Sequence, residues 1–309
     1  MRSLGIVAAL ALGSAGTLVG QQVADTAFAP PIPNPAYAVG TGPRAGIDEA
    51  HANFHTAGGR FTAFARLLAR DGYRVAPVTA PFDAASLADL DVLVIANALG
   101  DTANVVVPVR SAFTDAEIAA VRMWVEQGGA LLLIADHMPF AGAAAGLARA
   151  FGVHFIDGYA VSGARGAPSF MFRRSDGTLA RHAVGVGRTP DERIDSVLTF
   201  GGQAFRATVS VEPVFVIPEG SLMVMTHRWG AFSDSTPRFA ADGLLQAATL
   251  THGKGRVALF GEAAMFSAQL AGPDREPMGM NAPAAAQNPA FILNVLHWLS
   301  GSLDSVEAP

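Results

Sequence analysis

The chain contains no cysteine. That removes disulfides, thiolate zinc sites, iron–sulfur clusters and every mechanism that needs a cysteine nucleophile. It does not fix a compartment, because exported proteins often do without disulfides. Charge is also scarce, at 15% of residues against about 25% in an average soluble domain. A disordered polyelectrolyte and a charged coiled coil are both excluded. Only 21 Lys and Arg stand against 26 Asp and Glu, a formal net charge of −5. Without a basic surplus to neutralise phosphates, nucleic acid is not an expected partner. There is no GxxxxGK[ST] phosphate loop, no GxSxG elbow and no GxGxxG between a strand and a helix. The glycines of AVGVGRT (residues 183–189) read as loop.

Long apolar runs are missing as well. Arg2 precedes an uncharged stretch, residues 4–20, diluted with Gly and Ser and short of the roughly 20 residues of a membrane span. A basic start followed by a modest apolar run is the pattern of a secretory signal, with an uncleaved anchor as the alternative. Residues 1–29 are assigned to it. An A-x-A occurs at 27–29, where the following Pro30 should obstruct cleavage; a second occurs at 36–38, and a cut near Gly20 is the third option. The expected address is export, to the periplasm or beyond, with membrane contact only through that N-terminal segment. APPIPNPAY follows. Successive prolines block helix and sheet pairing, so residues 30–42 are expected to be an extended tether.

What is present, from residue 43, is alternation of strand and helix. RAGID (44–48) reads as a strand running into a polar loop, EAHANFHTAGG. Residues 60–70 carry Phe61, Phe64, Leu67 and Leu68 at helical spacing. Strands are expected at 73–78 and at 91–96, where DVLVIA is apolar throughout, as in a strand covered on both faces. Thr114 and Glu117 form a capping box for a helix over 115–127 that stops at Gly128-Gly129. ALLLIA (130–135) is the next buried strand and 141–151 the next helix. RVALF (256–260) and a helix over 289–299, with Pro289 in its first turn, complete the pattern; 302–309 reads as a frayed tail. Residues 157–253 differ, with many turn residues and short β-like runs, and read as a β-rich inserted section. The alternation implies an α/β domain over 43–301 with a mostly parallel sheet and helices on both faces.

Ligands in such sheets bind beyond the carboxyl ends of the strands. Asp48, Glu49, His51, Asn53 and His55 follow the first strand, Asn97 the third, Asp136 and His137 the fourth, and Glu262 the last. Topology would gather them on one rim. Asp, Glu and His are both general acids and bases and metal ligands. Asp48, Glu49, His51, Asp136, His137 and Glu262 are therefore the candidate catalytic residues. His51, His55, Asp136 and His137 are the candidate ligands of a divalent metal such as zinc, with an open position for water. Two other readings stay open: Asp136 orienting a histidine base, and hydrogen bonds to a sugar without catalysis. Asp136 could also simply cap the following helix. His154 and His297 read as surface or packing residues, and Phe170, Met171 and Phe172 as core rather than lid.

The phrases IDEAHANFHTAGGRFTAFARLLARDGYRV, GGALLLIADHMPFAGAAAGLARAFGV, GKGRVALFGEAAMFSAQ and GMNAPAAAQNPAFILNVLHWLSG resemble exported bacterial proteins with a class I glutamine amidotransferase-like domain, of the DUF4350 and GldG/intraflagellar-transport types. The resemblance covers residues 44–160 and 254–301, about half the chain. It implies a flavodoxin-like three-layer sandwich that binds carbohydrate or another small molecule. It cannot imply glutamine hydrolysis, because glutaminases act through a cysteine at the strand end where this chain has Asp136-His137. The functional expectation is a small-molecule or glycan site, with metal-assisted hydrolysis as one form of it. The alternative is a non-catalytic binding or scaffolding module of a cell-envelope assembly.

Overall fold

The structure, a computed structural model, describes residues 22–163 and 168–306. The apolar run at 4–20 lies outside the described residues. Five parallel strands form the centre: β1 (Arg44–Asp48), β2 (Arg74–Val78), β3 (Val92–Ala96), β4 (Ala130–Ile134) and β5 (Gly255–Phe260), side by side in the order β2-β1-β3-β4-β5. Every residue of β3 and β4 is buried, and their alternation divides two cores. Val92, Val94, Ala96, Leu132 and Ile134 pack on one face with Phe64 and Leu67 of helix α1 (Thr62–Arg70) and with Phe291 and Leu296 of the C-terminal helix. Leu93, Ile95, Leu131 and Leu133 face the other way, onto α2 (Ala84–Leu87), α3 (Asp115–Glu126) and α4 (Phe140–Ala150), through Leu87, Val121, Val125 and Leu147. The C-terminal helix, α5 (Asn288–Leu299), is buried along nearly all its length. Each fully buried Leu, Val or Phe contributes roughly 1.5–3 kcal/mol. The scarcity of charge follows: a sheet covered on both faces has few places to put it.

The β-rich section is less separate than its sequence suggests. Leu245–His252 pairs antiparallel with β5, and Phe205–Ala207, Val153–Phe155 and Glu212–Val216 continue outward, making nine strands in one sheet. The hairpin pairing His252 with Gly255 covers what would be the bare edge of β5, with Ala247, Ala248 and Leu250 buried. Smaller sheets join Tyr159–Val161 to Leu222–Val224 and Arg238–Ala240, and Phe170–Arg173 to Ser196–Thr199. Phe170 and Phe172 are core residues.

The Pro-rich stretch is not a free tether. Its carbonyls accept from Arg70 (Pro30) and Arg188 (Asn34), Ala36 N donates to Asp71 Oδ1 at 2.8 Å, and the Tyr37 ring packs edge-on against Tyr73 at 5.3 Å. Proline denied the segment a sheet or helix of its own, so side chains of the body hold its carbonyls instead. Just before it, Val23–Ala24 pairs with Ala268–Ala271, which pairs in turn with Glu276–Gly279. The start of the expected tail is also docked: Leu303 is buried and Asp304 meets Arg256 at 2.5 Å. Among the described residues no helix is long and apolar enough to cross a membrane.

Candidate functional site

The loop after β1 straddles the strand ends, and in doing so separates residues expected together. Its backbone is stitched to the loop after β3: Leu99 N and Gly100 N donate to His51 O, and Phe54 N donates to Asn97 O. Ala52 takes a left-handed φ of 49° and Asn97 one of 50°. Such a conformation costs about 1–3 kcal/mol and persists only where surroundings enforce it. The turn sends His51 toward α3 and His55 toward α1.

On the α3 side, Asp48 oxygens lie 2.8 and 3.0 Å from His51 Nδ1, and Glu117 Oε1 lies 2.8 Å from Nε2. The imidazole sits between Phe82 and Phe113, with ring centroids 4.6 and 4.7 Å away. Burial lowers the affinity of His51 for its second proton, but the hydrogen bonds and charges of Asp48 and Glu117 outweigh it, so its pKa is raised. Burial alone would raise the Glu117 pKa; bonds from His51, Thr114 and Phe82 bring it down to about 2. Glu117 also closes the capping box read from sequence, accepting from Thr114 N at 2.9 Å. Its second role, as the partner of His51, left no signal in the sequence. Asp48, His51 and Glu117 thus form a buried clamp holding the loop to the first turn of α3. Glu49 likewise serves the loop, its Oε1 accepting from Ala57 N at 2.8 Å.

On the other side a cavity of about 200 Å³ opens beyond the ends of β3, β4 and β5, lined by His55, Asn97, Asp136, His137 and Glu262 among others. Asp136 does not cap α4, whose N-cap is Pro139 with no side-chain bond. Its backbone N–H donates to Asn97 Oδ1 at 2.9 Å, and its Oδ1 accepts from His137 N at 2.8 Å. His137 Nδ1 lies 2.7 Å from Met138 O. A carbonyl only accepts, so Nδ1 carries a proton, and Nε2 lies 3.9 Å from Asp136 Oδ1. The Tyr159 ring stacks on the imidazole at 4.2 Å, with planes 19° apart. Phe54 and Phe140, tilted to each other at 5.5 Å, both meet Trp229 edge to face, at 5.9 and 5.4 Å, and the three rings form one wall.

Glu262 is buried at the turn after β5. Its oxygens accept from Ala264 N at 2.7 Å and Met265 N at 2.8 Å. Those bonds favour the carboxylate, yet burial and the negative charge of Asp136 prevail and push its pKa up to about 8. At neutral pH the Asp136–Glu262 pair therefore holds a proton. The turn depends on Gly202, whose φ is 99° and where a Cβ would lie 2.1 Å from Gly261 O and 2.9 Å from Glu262 Cβ. His55 is 3% exposed, and neither ring nitrogen has a partner. Burial, aided by Arg60, takes its pKa down to about 3, so it is neutral. Gln269 Oε1, also at this cavity, is likewise buried and unpartnered.

Of the expected site residues, then, Asp136, His137, Glu262 and His55 share the cavity, while Asp48, His51 and Glu49 hold its loop. The expected metal ligands do not fit one ion. Both nitrogens of His51 are taken by carboxylates, and His55 lies across the strand ends from it. Among the described residues no group of three or more His, Asp and Glu is placed to hold a metal. Sequence reasoning missed the aromatic wall, Tyr159 and Gln269, which come from loops, the start of α4 and short strands and share no periodic signal.

No family model matches the chain, and no curated protein matches it in sequence. Among solved structures it is similar to the mmIFT52 N-terminal domain, at 12% identity and a TM-score of 0.56, over 83% of this chain and 97% of that one. The likeness is one of fold. A ThuA-like protein from Bacteroides uniformis is similar at 13% identity and TM-score 0.47, over 88% of this chain and 94% of its own. A ThuA-like protein from Parabacteroides merdae gives 9% and 0.43, over 84% and 90%. Neither score is high enough to carry an argument. The chain is a mixed α/β protein with a mostly parallel central sheet.

Proposed function

We propose that the cavity binds a small, uncharged, hydroxylated ligand of the size of one sugar residue, and that Asp136, Glu262 and His137 make it an acid–base site of hydrolase type. The observation that carries the reading is the composition of the wall. Buried, unpartnered His55 and Gln269, the protonated Glu262 and the neighbouring Asp136 face aromatic rings, with no Lys or Arg among the described residues of the lining. Unmade hydrogen bonds of buried groups cost about 1–3 kcal/mol each, which a ligand with hydroxyl groups would recover. The negative charge of Asp136, with no Lys or Arg among the described residues of the lining, opposes phosphates and carboxylates, free glutamine included. At about 200 Å³ the space falls below the roughly 300–1,000 Å³ of drug-sized sites. Two carboxyl groups, of which Glu262 holds a proton, supply the acid and the base of a hydrolysis: Glu262 would protonate the departing oxygen, and Asp136 would accept the proton of the attacking water.

We assign the fold to the flavodoxin-like, class I glutamine amidotransferase-like type, supported by the strand order β2-β1-β3-β4-β5, but to a branch without glutaminase chemistry, since the chain has no cysteine. We also propose export, on the pattern of residues 1–29. Calorimetry with methyl glycosides of glucose, galactose, mannose and N-acetylglucosamine, joined to hydrolysis of their nitrophenyl glycosides, tests the site. One sugar should bind, and Trp229→Ala should weaken it at least tenfold, about 1.4 kcal/mol. Asp136→Asn should remove any hydrolysis. If no sugar binds, the glycan reading is refuted and the scaffolding module is the better account.

A further inference from the structure

A second depression, of about 530 Å³, lies on the far side of Phe232, and that ring lines both spaces. Phe232 is 37% exposed and its inner edge is fixed against Tyr159, with ring centroids 4.8 Å apart. Tyr159 is in turn the residue that stacks on His137. The two hollows are therefore successive along one aromatic partition rather than separate features of the surface. The second has its own mark of an absent partner: Thr226 is 4% exposed, it lines the hollow, and its Oγ1 has no hydrogen-bond partner. Opposite stand the hydroxyls of Ser233, Ser235 and Thr236, linked to one another at 3.0 and 3.3 Å. Hydroxyl groups, with no Lys or Arg among the described residues of the lining, suit an uncharged polyol. The one carboxyl group in the lining is Asp157, which accepts from Gly142 N at 2.9 Å and is pushed up to about 6 by burial.

From this arrangement we infer that the second depression is a subsite continuous with the first, so that the ligand is a chain of at least two uncharged sugar units with its terminal unit in the inner cavity. The inference rests on the sugar reading of the inner cavity and names its substrate class as an oligosaccharide. Phe232 would lie against the junction of the two units. Thr226 Oγ1 would exchange a hydrogen bond with the second unit, and the serine and threonine hydroxyls would meet its outer edge. The inner cavity is too small for two rings and the outer one is open, which is the shape of a site that takes a chain by its end.

Calorimetry by chain length tests it, with the methyl glycoside, the α-1,4- and β-1,4-linked disaccharides and the trisaccharides of each sugar in the panel above. The expected result is a disaccharide bound at least tenfold more tightly than the methyl glycoside. Thr226→Val should remove most of that gain while leaving methyl glycoside affinity within twofold and the melting temperature unchanged, and Phe232→Ala, whose ring borders both spaces, should weaken the disaccharide at least fivefold more than the methyl glycoside. Equal affinity for one unit and for two, or a gain that survives both substitutions, overturns the subsite and leaves the inner cavity intact as a site. Absence of binding by every sugar, of whatever length, overturns the sugar reading itself and the subsite with it.

Discussion

The clamp formed by Asp48, His51 and Glu117 yields a prediction that can be worked through. In Glu117→Ala, His51 Nε2 and Phe82 N each lose a buried partner, at about 1–3 kcal/mol per group. The substitution also removes half of a capping box, and losing a helix cap costs about 0.5–2 kcal/mol. Together these span roughly 2.5–8 kcal/mol, and the range for breaking a buried ion pair by removing one partner, about 3–5 kcal/mol, lies inside that span. At about 2 °C per kcal/mol for a domain of this size, the melting temperature should fall by roughly 6–10 °C. Thr114→Ala, which loses only the cap, should fall by about 2 °C. The pH dependence has a definite sign. His51 has a raised folded pKa, so its contribution is complete below its unfolded value of 6.5 and is lost as pH climbs through the folded value. Glu117 is depressed to about 2 from 4.5, so its contribution is complete above 4.5 and is lost as pH falls toward 2. The clamp should be strongest between about 4.5 and 6.5. Differential scanning calorimetry of wild type and both variants at pH 3, 5.5 and 8.5 measures it. A Glu117→Ala protein that melts within 2 °C of Thr114→Ala at pH 5.5 would refute the reasoning.

Other consequences are measurable. Asp136→Asn removes the charge that helps hold the Glu262 proton. It should lower that carboxyl group's apparent pKa below 8, so the stability lost as pH rises from the unfolded value of 4.5 through the folded one should be smaller and level off at a lower pH, as melts between pH 4 and 9 would show. Gly202→Ala meets backbone at 2.1 Å in a left-handed conformation and should destabilise by more than about 4 kcal/mol, giving little folded protein in a circular dichroism melt. A cut after Ala29 would strip off the Val23–Ala24 strand and the Gln22 wall of the cavity. If the chain is exported and trimmed, mass spectrometry of the secreted form should therefore find an N-terminus at or before Gln22; a start at Pro30 would refute this.

Much of the frame could be read directly from residue order. DVLVIA and ALLLIA became β3 and β4 because runs apolar at every position leave only a strand covered on both faces. Thr114 and Glu117 fixed the start of α3 to the residue. Each of these features is local, decided within a few positions. Asp136, His137 and Glu262 were legible for a different reason: parallel topology brings strand ends together wherever they fall in sequence. What failed was the assumption that one rim is one site. Which side of the sheet a loop residue joins is decided by single backbone turns, such as the left-handed one at Ala52 between His51 and His55, and alanine gives no sign of it. Glu117 was hidden in plain view, since its capping role already accounted for it. Trp229, Tyr159 and Gln269 arrive from segments 23 to 172 residues from Asn97 and Asp136 in sequence, with spacing that reports no period. The strand at 205–207, three residues long, was too short to reveal which sheet it would extend.

The placement of the N-terminal strand has a practical side. Residue 22 sits in the wall of the inner cavity, whereas the C-terminal segment packs against Arg256 at the first turn of β5, the opposite end of the sheet. A label, fusion partner or immobilisation handle placed ahead of residue 22 would stand in the doorway of the site and depress any titration made with it. The same handle after residue 306 would leave the mouth facing the bulk solution. A protein silent in a binding screen through an N-terminal tag should be tried again from its other end.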